Sequence, residues 1–238
     1  MDKPVIGFFG FARRFPREYK INLDNYRKYI FCPTRMYEDK PDTVNVDDFK
    51  KVLGDDTVVE QWDYDKTLFI DKWKGLETVP RFNQFFQQPY RIYSFFYHLG
   101  KTAEMIYRDH TVSDDTPVIL IRIDVDIDKI NMDKIGKLIK SGFEVVTDNK
   151  NCDRYFVTKK SKLPVFIELY EDYGKYLKDY YSRPKLNRLK TTRPEDIFNF
   201  HFSKFGKNVK RTNDRVVIHK FKHVCNPFCG HHRQKTLE

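Results

Sequence analysis

The sequence predicts an α/β fold in which helices flank a mostly parallel central sheet. Within the first 130 residues, short apolar runs alternate with helical patterns, and these runs lie at 4–9, 29–34, 57–62 and 117–128. Strands separated by helices pair in parallel because each connection must cross back over the sheet. The length of 238 residues predicts a single domain. Its main part, 1–206, ends with the last predicted helix, and 207–238 form a C-terminal extension of the same domain with a late strand and a basic His/Cys-rich tail.

Caps and apolar spacing predict the helices. A polar segment around 16–30 is expected to be helical, and the next helix follows Asn45 and ends at Gly54. Aromatic residues at helical spacing predict a long helix over about 80–108, with Pro89 as a kink or restart. Later helices are predicted at 132–142, 163–181 and 193–206, and later strands at 143–146, 154–158 and 215–221.

The fourth apolar run ends in acidic residues. After Val118–Ile121 the chain alternates, so that on an extended strand Asp124 and Asp126 would share one face with Arg122. Ligands of parallel sheets bind beyond the carboxyl ends of strands. Because neighbouring carboxylates repel unless a cation lies between them, this face predicts a Mg²⁺ or Mn²⁺ site. The alternative is an acidic loop in which Asp128 favours the start of the next helix.

An apolar strand that ends in Asp-x-Asp resembles the corresponding segment of GT-A-type glycosyltransferases. Further segments resemble, in the same order, those of small capsule-type enzymes and of enzymes with which large algal DNA viruses glycosylate their capsid protein. These segments are 7–15, 90–105, 152–173 and 193–202. The resemblance covers roughly 4–205 and implies one GT-A-like (Rossmann-like) domain. The last thirty or so residues have no counterpart in the family.

The resemblance implies transfer of a sugar from a UDP- or GDP-sugar to a glycan or glycoprotein acceptor. A metal ion at Asp124 and Asp126 would neutralise the departing diphosphate. The residues expected to contact the donor are Gly10, Arg13, Arg14, Arg91, Ser94, Arg122 and Asp124. Asp153 is the expected general base of an inverting reaction, and Asp148 and Glu195 are its rivals.

Simpler roles remain open for several of these residues. Arginine suits bidentate phosphate contacts, but Arg13 and Arg14 are equally compatible with ordinary surface charge. Arg91 and Ser94 open a predicted helix, whose N-terminus favours anions, yet Arg91 also fits an exposed helical cation. Asp153 is also compatible with a salt bridge.

The C-terminal extension contains a possible zinc-ligand set. Cys225 and Cys229 are close to four of the seven histidines, namely His219, His223, His231 and His232. Two cysteines and two histidines can hold a tetrahedral structural Zn²⁺. The spacing is not that of a usual zinc finger, and the alternative is a basic extension without metal.

The net charge of +10 suits an anionic partner. A second hypothesis is therefore a nucleic-acid-binding protein or Mg²⁺-dependent nuclease, and a third is an inactive fold that acts as an interaction module. The periodic, core-like placement of the Phe and Tyr residues disfavours nucleic acid as the partner. The N-terminus does not resemble a signal peptide and no apolar stretch is long enough for a transmembrane helix, so a cytoplasmic protein is expected, in the host cytoplasm if viral.

Overall fold

The computed structural model describes residues 3–13, 22–36, 42–73, 90–125, 127, 130–147, 154–182, 198, 201–202 and 209–211. They form an α/β structure in which helices flank a seven-stranded, mostly parallel sheet, as the sequence predicts. No helix among these residues is both long enough and apolar enough to cross a membrane.

The strands are β1 (Val5–Phe9), β2 (Arg27–Pro33), β3 (Val58–Trp62), β4 (Pro117–Arg122), β5 (Val145–Thr147), β6 (Tyr155–Lys159) and β7 (Val209–Arg211). Their order in the sheet is β3-β2-β1-β4-β6-β5-β7. β6 pairs antiparallel with β4 and β5, whereas the other pairings are parallel. β6 therefore begins at the edge of the sheet where the other described strands end.

The helices are α1 (Val46–Leu53), α2 (Thr67–Trp73), α3 (Tyr90–Arg108), α4 (Met132–Lys140) and α5 (Pro164–Ser182). The predicted boundaries of α1 are confirmed. Asn45 and Asp48 form a reciprocal capping box, and Gly54 follows the helix with a φ of +98°. The predicted end of α4 is also confirmed, because Gly142 lies just beyond it with a φ of +93°.

Several predicted elements differ from the structure. The helix expected around 16–30 is wrong for its last residues, because β2 already begins at Arg27 and only Leu23–Asn25 form a short 3-10 helix. The strand expected over 117–128 ends at Arg122, and α2 was not predicted. The strand expected at 215–221 lies outside the described residues, whereas β7 lies a few residues earlier.

Both faces of the sheet are buried, which explains why its central strands are continuously apolar. Alternate residues of each strand face opposite sides. Val5 and Val118 belong to the cluster that packs against α3 and α5, whereas Ile6 and Ile119 belong to the cluster that packs against α1 and α4. The sheet is thus the middle layer of three, and the ends of its strands remain available at its edges.

Gly7 lies in β1 directly against side chains of α3. A Cβ atom at this position would lie 2.7 Å from Thr102 Cγ2 and 2.8 Å from Ile106 Cδ1. Both distances are shorter than van der Waals contact, so a side chain would push α3 away from β1. The absence of a side chain therefore sets the spacing between the helix and the sheet.

We predict that Gly7→Ala lowers the free energy of unfolding by about 1–3 kcal/mol through overpacking. Urea unfolding followed by circular dichroism measures the change. Gly136→Ala is the matched control, because a Cβ at this α4 position would have no atom within 4 Å. The control should raise the free energy of unfolding by about 0.5–1 kcal/mol through helix propensity. Equal effects of the two substitutions would contradict the assigned contact.

Candidate functional site

β1 and β4 are neighbours at the centre of the sheet, and the strand order reverses between them. β2 and β3 lie on the far side of β1, whereas β6, β5 and β7 lie on the far side of β4. In open α/β sheets, ligands bind beyond the carboxyl ends of the strands at such a reversal. Phe9 and Arg122 are register partners at these two ends, so the segments that follow them form the candidate site.

The segment after β1 turns sharply at Gly10. The φ of Gly10 is +97°, a value that favours glycine, and a Cβ built there would meet no atom within 4 Å. The Arg13 N–H then donates to the Phe11 carbonyl at 2.7 Å. The backbone is tied to the end of β4 because the Ile123 N–H donates to the Phe9 carbonyl at 3.0 Å. The two segments therefore form one unit.

The segment after β4 also turns, which corrects the expectation of an extended strand. The Val125 N–H donates to the Arg122 carbonyl at 3.0 Å, so Ile123 and Asp124 lie in a tight turn. The shared face proposed for Asp124 and Asp126 depended on extended geometry, and that argument does not hold beyond Arg122. Asp126 itself lies outside the described residues.

The Asp124 carboxylate is held by the side chain of Arg122. Arg122 Nε donates to Oδ1 at 2.9 Å, and Arg122 Nη2 donates to Oδ2 at 2.7 Å. This is the bidentate fork in which guanidinium binds carboxylate most strongly. Asp124 is 9% exposed, and burial alone would raise its pKa. The charge and hydrogen bonds of Arg122, together with the charge of Arg13, outweigh burial and hold the pKa of Asp124 below its ordinary value.

Arg13 brings a second guanidinium to the candidate site. Its Cζ lies 5.6 Å from the centroid of the Phe11 ring, and its charge acts on Asp124. Two guanidinium groups thus accompany one buried carboxylate at the ends of β1 and β4. This balance favours an anionic ligand, and planar guanidinium groups match phosphate oxygens well.

Four aromatic or imidazole rings, here called the aromatic cluster, lie beside this charged group. They are Phe11, Trp62, Tyr64 and His98. Phe11 meets Tyr64 at a centroid distance of 5.1 Å and His98 at 5.4 Å, both edge to face. Trp62 and Tyr64 are half-buried. Contacts with Tyr64 and His98 therefore hold the Phe11 ring in place, and part of the Trp62 and Tyr64 rings remains accessible at the end of β3.

His98 is the buried polar member of the aromatic cluster. Trp62 Nε1 donates to His98 Nε2 at 3.2 Å, and Ser94 Oγ lies 3.5 Å from His98 Nδ1. An indole N–H can only donate, so Nε2 must accept, and a neutral ring then carries its proton on Nδ1. Burial lowers the pKa of His98 to about 3, against a smaller raising effect of a backbone hydrogen bond at Ser94. The ring is therefore neutral at pH 7.

The structure places the remaining predicted residues as follows. Ser94 is 1% exposed and contacts His98, so this buried position supports the aromatic cluster instead of reaching a ligand directly. The backbone of Arg91 lies in the first turn of α3, but its side chain is outside the described set. Other candidates outside the described residues are Arg14, Asp126, Asp148, Asp153, Glu195 and the cysteines and histidines of the C-terminal extension.

Sequence reasoning missed the polar and aromatic residues at the ends of β2 and β3. Thr34 Oγ1 donates to Asp63 Oδ1 at 3.0 Å, next to Trp62 and Tyr64 of the aromatic cluster. All of these residues directly follow or end a parallel strand. Applying the strand-end rule to every strand, and not only to β1 and β4, would have identified them.

Asp124 fits one part of a divalent-cation site. Its oxygen atoms are of the type that Mg²⁺ and Mn²⁺ prefer, and these ions often bind through one or two carboxylates together with substrate phosphates. Among the described residues, no group of three or more His, Cys, Asp or Glu side chains surrounds a common point. A divalent cation at Asp124 would therefore need additional ligands besides the side chains that the structure describes.

A cavity of about 790 Å³ lies at the opposite edge of the sheet, near Pro4 and Pro117. Its charged rim is largely neutralised internally, because Lys159 pairs with Asp115 at 2.8 Å and Lys162 pairs with Glu144 at 2.8 Å. This cavity is far from the charged and aromatic groups at the strand ends, so we assign the candidate site to those groups.

Comparisons with family models, with curated proteins and with solved structures return no match.

We predict that the buried His98 makes the protein less stable in acid. Its folded pKa of about 3 lies below the unfolded value of 6.5, so unfolding takes up a proton between these pH values. The free energy of unfolding should therefore fall as pH decreases from 6.5, by at most about 1.4 kcal/mol per pH unit. Urea unfolding between pH 7.5 and 4.5 measures this slope.

His98→Gln should be less stable at pH 7 but should lose less stability on acidification than the wild-type protein. His110→Gln, which replaces an exposed histidine, is the matched control and should follow the wild-type pH dependence. Identical slopes for His98→Gln and the wild-type protein would show that His98 does not control acid stability.

Proposed function

We propose that this protein is a GT-A-type glycosyltransferase that moves a sugar from a UDP- or GDP-sugar to a glycan or glycoprotein acceptor. One observation carries the proposal. Arg13 and the Arg122–Asp124 pair lie together at the carboxyl ends of β1 and β4, where the strand order reverses. This is where an open α/β sheet binds its ligand, and the charges suit a diphosphate.

The departing diphosphate needs its negative charge neutralised. Arg13 and Arg122 supply cationic groups beside this edge, and Asp124 supplies an ionised carboxylate that can hold a divalent cation. A bound Mg²⁺ or Mn²⁺ would act as a Lewis acid on the diphosphate oxygens. The arginine side chains would orient the donor and share its charge.

The nucleoside of the donor needs a flat, partly apolar surface with a few polar groups. The half-buried rings of Trp62 and Tyr64 offer such a surface, and the Thr34–Asp63 hydrogen bond adds polar atoms beside it. Ring stacking and a small number of oriented hydrogen bonds are the usual means of binding such a group. This segment supports a nucleotide donor over a simple phosphate ester.

The acceptor hydroxyl must lose a proton, for which a carboxylate base is proposed. Thr147 ends β5 and Arg154 precedes β6 at the same edge of the sheet, and the Arg122 N–H donates to the Arg154 carbonyl at 3.0 Å. The chain between them, which contains Asp148 and Asp153, therefore leaves the sheet at this edge and returns to it directly beside the end of β4. Asp153 remains the first candidate for the base, followed by Asp148 and Glu195.

Nucleic-acid binding is the less favoured hypothesis. It calls for a row of exposed aromatic rings along a basic groove. In the described part of the chain, most Phe and Tyr side chains belong to the two buried clusters. Of the large hydrophobic side chains that are clearly exposed among these residues, one is aromatic, Tyr107. The positive charge alone does not favour a polymer over a small phosphate-bearing donor.

We predict that nucleoside diphosphates stabilise the protein clearly with Mn²⁺ or Mg²⁺ and only weakly without a divalent cation. At a ligand concentration of 100 times Kd, stabilisation should be about 2.7 kcal/mol. Thermal-shift measurements with UDP, GDP, CDP and the corresponding nucleotide sugars, each with Mn²⁺ or EDTA, give this comparison. They also identify the nucleobase of the donor. Equal stabilisation in EDTA would contradict metal-assisted binding.

We further predict that two aspartate substitutions separate metal binding from proton transfer. Asp126→Asn should weaken donor binding and sugar transfer together, because Asp126 is the second metal ligand that the Asp-x-Asp resemblance implies. Asp153→Asn should leave donor binding intact and reduce turnover by about 10²- to 10⁴-fold. Isothermal titration and a sugar-transfer assay give the two quantities for the donor identified above.

Asp55→Asn is the control for this pair, since it removes one carboxylate from an exposed turn. It should leave both quantities unchanged. Near-normal turnover of folded Asp153→Asn would assign the base to Asp148 or Glu195, and full activity of Asp126→Asn would exclude it as a metal ligand.

A further inference from the structure

Arg122 donates to both oxygen atoms of the Asp124 carboxylate, which leaves one lone pair on each oxygen for any further ligand. Arg122 places one N–H on each oxygen of the Asp124 carboxylate, at 2.9 and 2.7 Å. Asp124 is two residues from Arg122, within a tight turn, so the pair is local and does not depend on a distant element. A metal ion at this carboxylate would lie close to the guanidinium, and two such cations repel each other strongly at the edge of a protein.

The main chain around Arg122 is held independently of its side chain. The Arg122 N–H donates to the Arg154 carbonyl, and the Ile123 N–H donates to the Phe9 carbonyl, both at 3.0 Å. The guanidinium is at the end of a long side chain that is 19% exposed. Because these two backbone bonds do not involve the guanidinium, a change in its position would leave the pairing of β4 with its neighbours intact.

An unpaired, buried carboxylate would be unfavourable in the absence of a ligand. The side chain of Asp124 is 12% exposed, so the loss of Arg122 would leave a negative charge with little access to water. In the metal-free protein, Arg122 supplies the cation that pairs directly with this carboxylate, and the charge of Arg13 adds to its effect. In a metal-bound protein, the same Asp124 carboxylate would bind the divalent cation instead of the Arg122 guanidinium.

We propose that Arg122 is an exchangeable internal counter-ion of Asp124, which gives up the carboxylate to a divalent cation and then binds the diphosphate of the donor. The inference rests on the proposed function and adds a regulatory role for a residue of the same site. It makes metal binding and donor binding cooperative: the cation releases the guanidinium, and the diphosphate gives the released guanidinium a new partner.

The first measurement uses Mn²⁺ alone, with no nucleotide present. Arg122→Gln removes the competing cation, so the protein should bind Mn²⁺ more tightly than the wild type. If Asp124 is free of Arg122 for a tenth of the time or less, the gain in affinity is about tenfold or more. Isothermal titration or the electron paramagnetic resonance signal of free Mn²⁺ measures Kd directly. Arg108→Gln, which removes an exposed arginine from α3, is the matched control and should leave Kd unchanged.

The second measurement is thermal stability. Arg122→Gln should have a lower Tm than the wild type in EDTA, and Mn²⁺ should restore more of that loss than it adds to the wild type. The double variant Arg122→Gln, Asp124→Asn should show no Mn²⁺-dependent recovery, because the carboxylate is gone. Arg122→Lys keeps the charge without the fork and should have an intermediate Kd for Mn²⁺, which provides a second test if the glutamine variant does not fold.

The outcomes separate this inference from the proposed function. Tighter Mn²⁺ binding by Arg122→Gln, with weaker binding of a nucleoside diphosphate in the presence of Mn²⁺, supports both. Unchanged or weaker Mn²⁺ binding would overturn the counter-ion role, while Mn²⁺-dependent binding of a nucleoside diphosphate to the wild type would leave the proposed function standing. Absence of Mn²⁺ binding by every variant, with or without nucleoside diphosphate, would overturn both.

Discussion

The parallel pairing of β1 with β4 is the interaction on which the candidate site depends. It places the end of β1 beside the end of β4, with Phe9 opposite Arg122. The Ile123 N–H extends the pairing by one further bond to the Phe9 carbonyl. Arg13 and Asp124 can influence each other only because of this register, since each follows its strand by a few residues. A slip of one residue would turn every side chain of β4 to the opposite face.

The sequence was sufficient to predict the features that arise from local pattern. Apolar runs identified the strands around Val5 and Val118, and the Asn45 cap with Gly54 identified α1. Four residues of the candidate site were also expected from the sequence because they end or closely follow a buried strand, namely Gly10, Arg13, Arg122 and Asp124. In each of these cases the deciding property is carried by a few consecutive residues, and packing in the folded protein agrees with it.

Other features depend on contacts that the sequence pattern does not contain. Alternation predicted that Asp124 continues a strand, but the carbonyl of Arg122 accepts a bond from Val125 and the chain turns. β6 lies between β4 and β5 and runs antiparallel to both, a direction that its own residues do not indicate. His98 is one polar residue in an aromatic helix, and its hydrogen bond from Trp62 joins residues that are 36 positions apart in the sequence. Such pairings arise only when the three layers are assembled.

The distance along the chain between β1 and β4 also has a consequence for folding. Val5 pairs with Val118, so nearly half of the chain separates two strands that are neighbours in the sheet. Contacts between such distant segments form slowly, because the entropy of closing a long loop must be overcome before they add stability. During synthesis, β1 has no partner on this side until β4 has been made. Arg13 and Asp124 can meet only after that step, so binding at this edge would report that the centre of the sheet has closed.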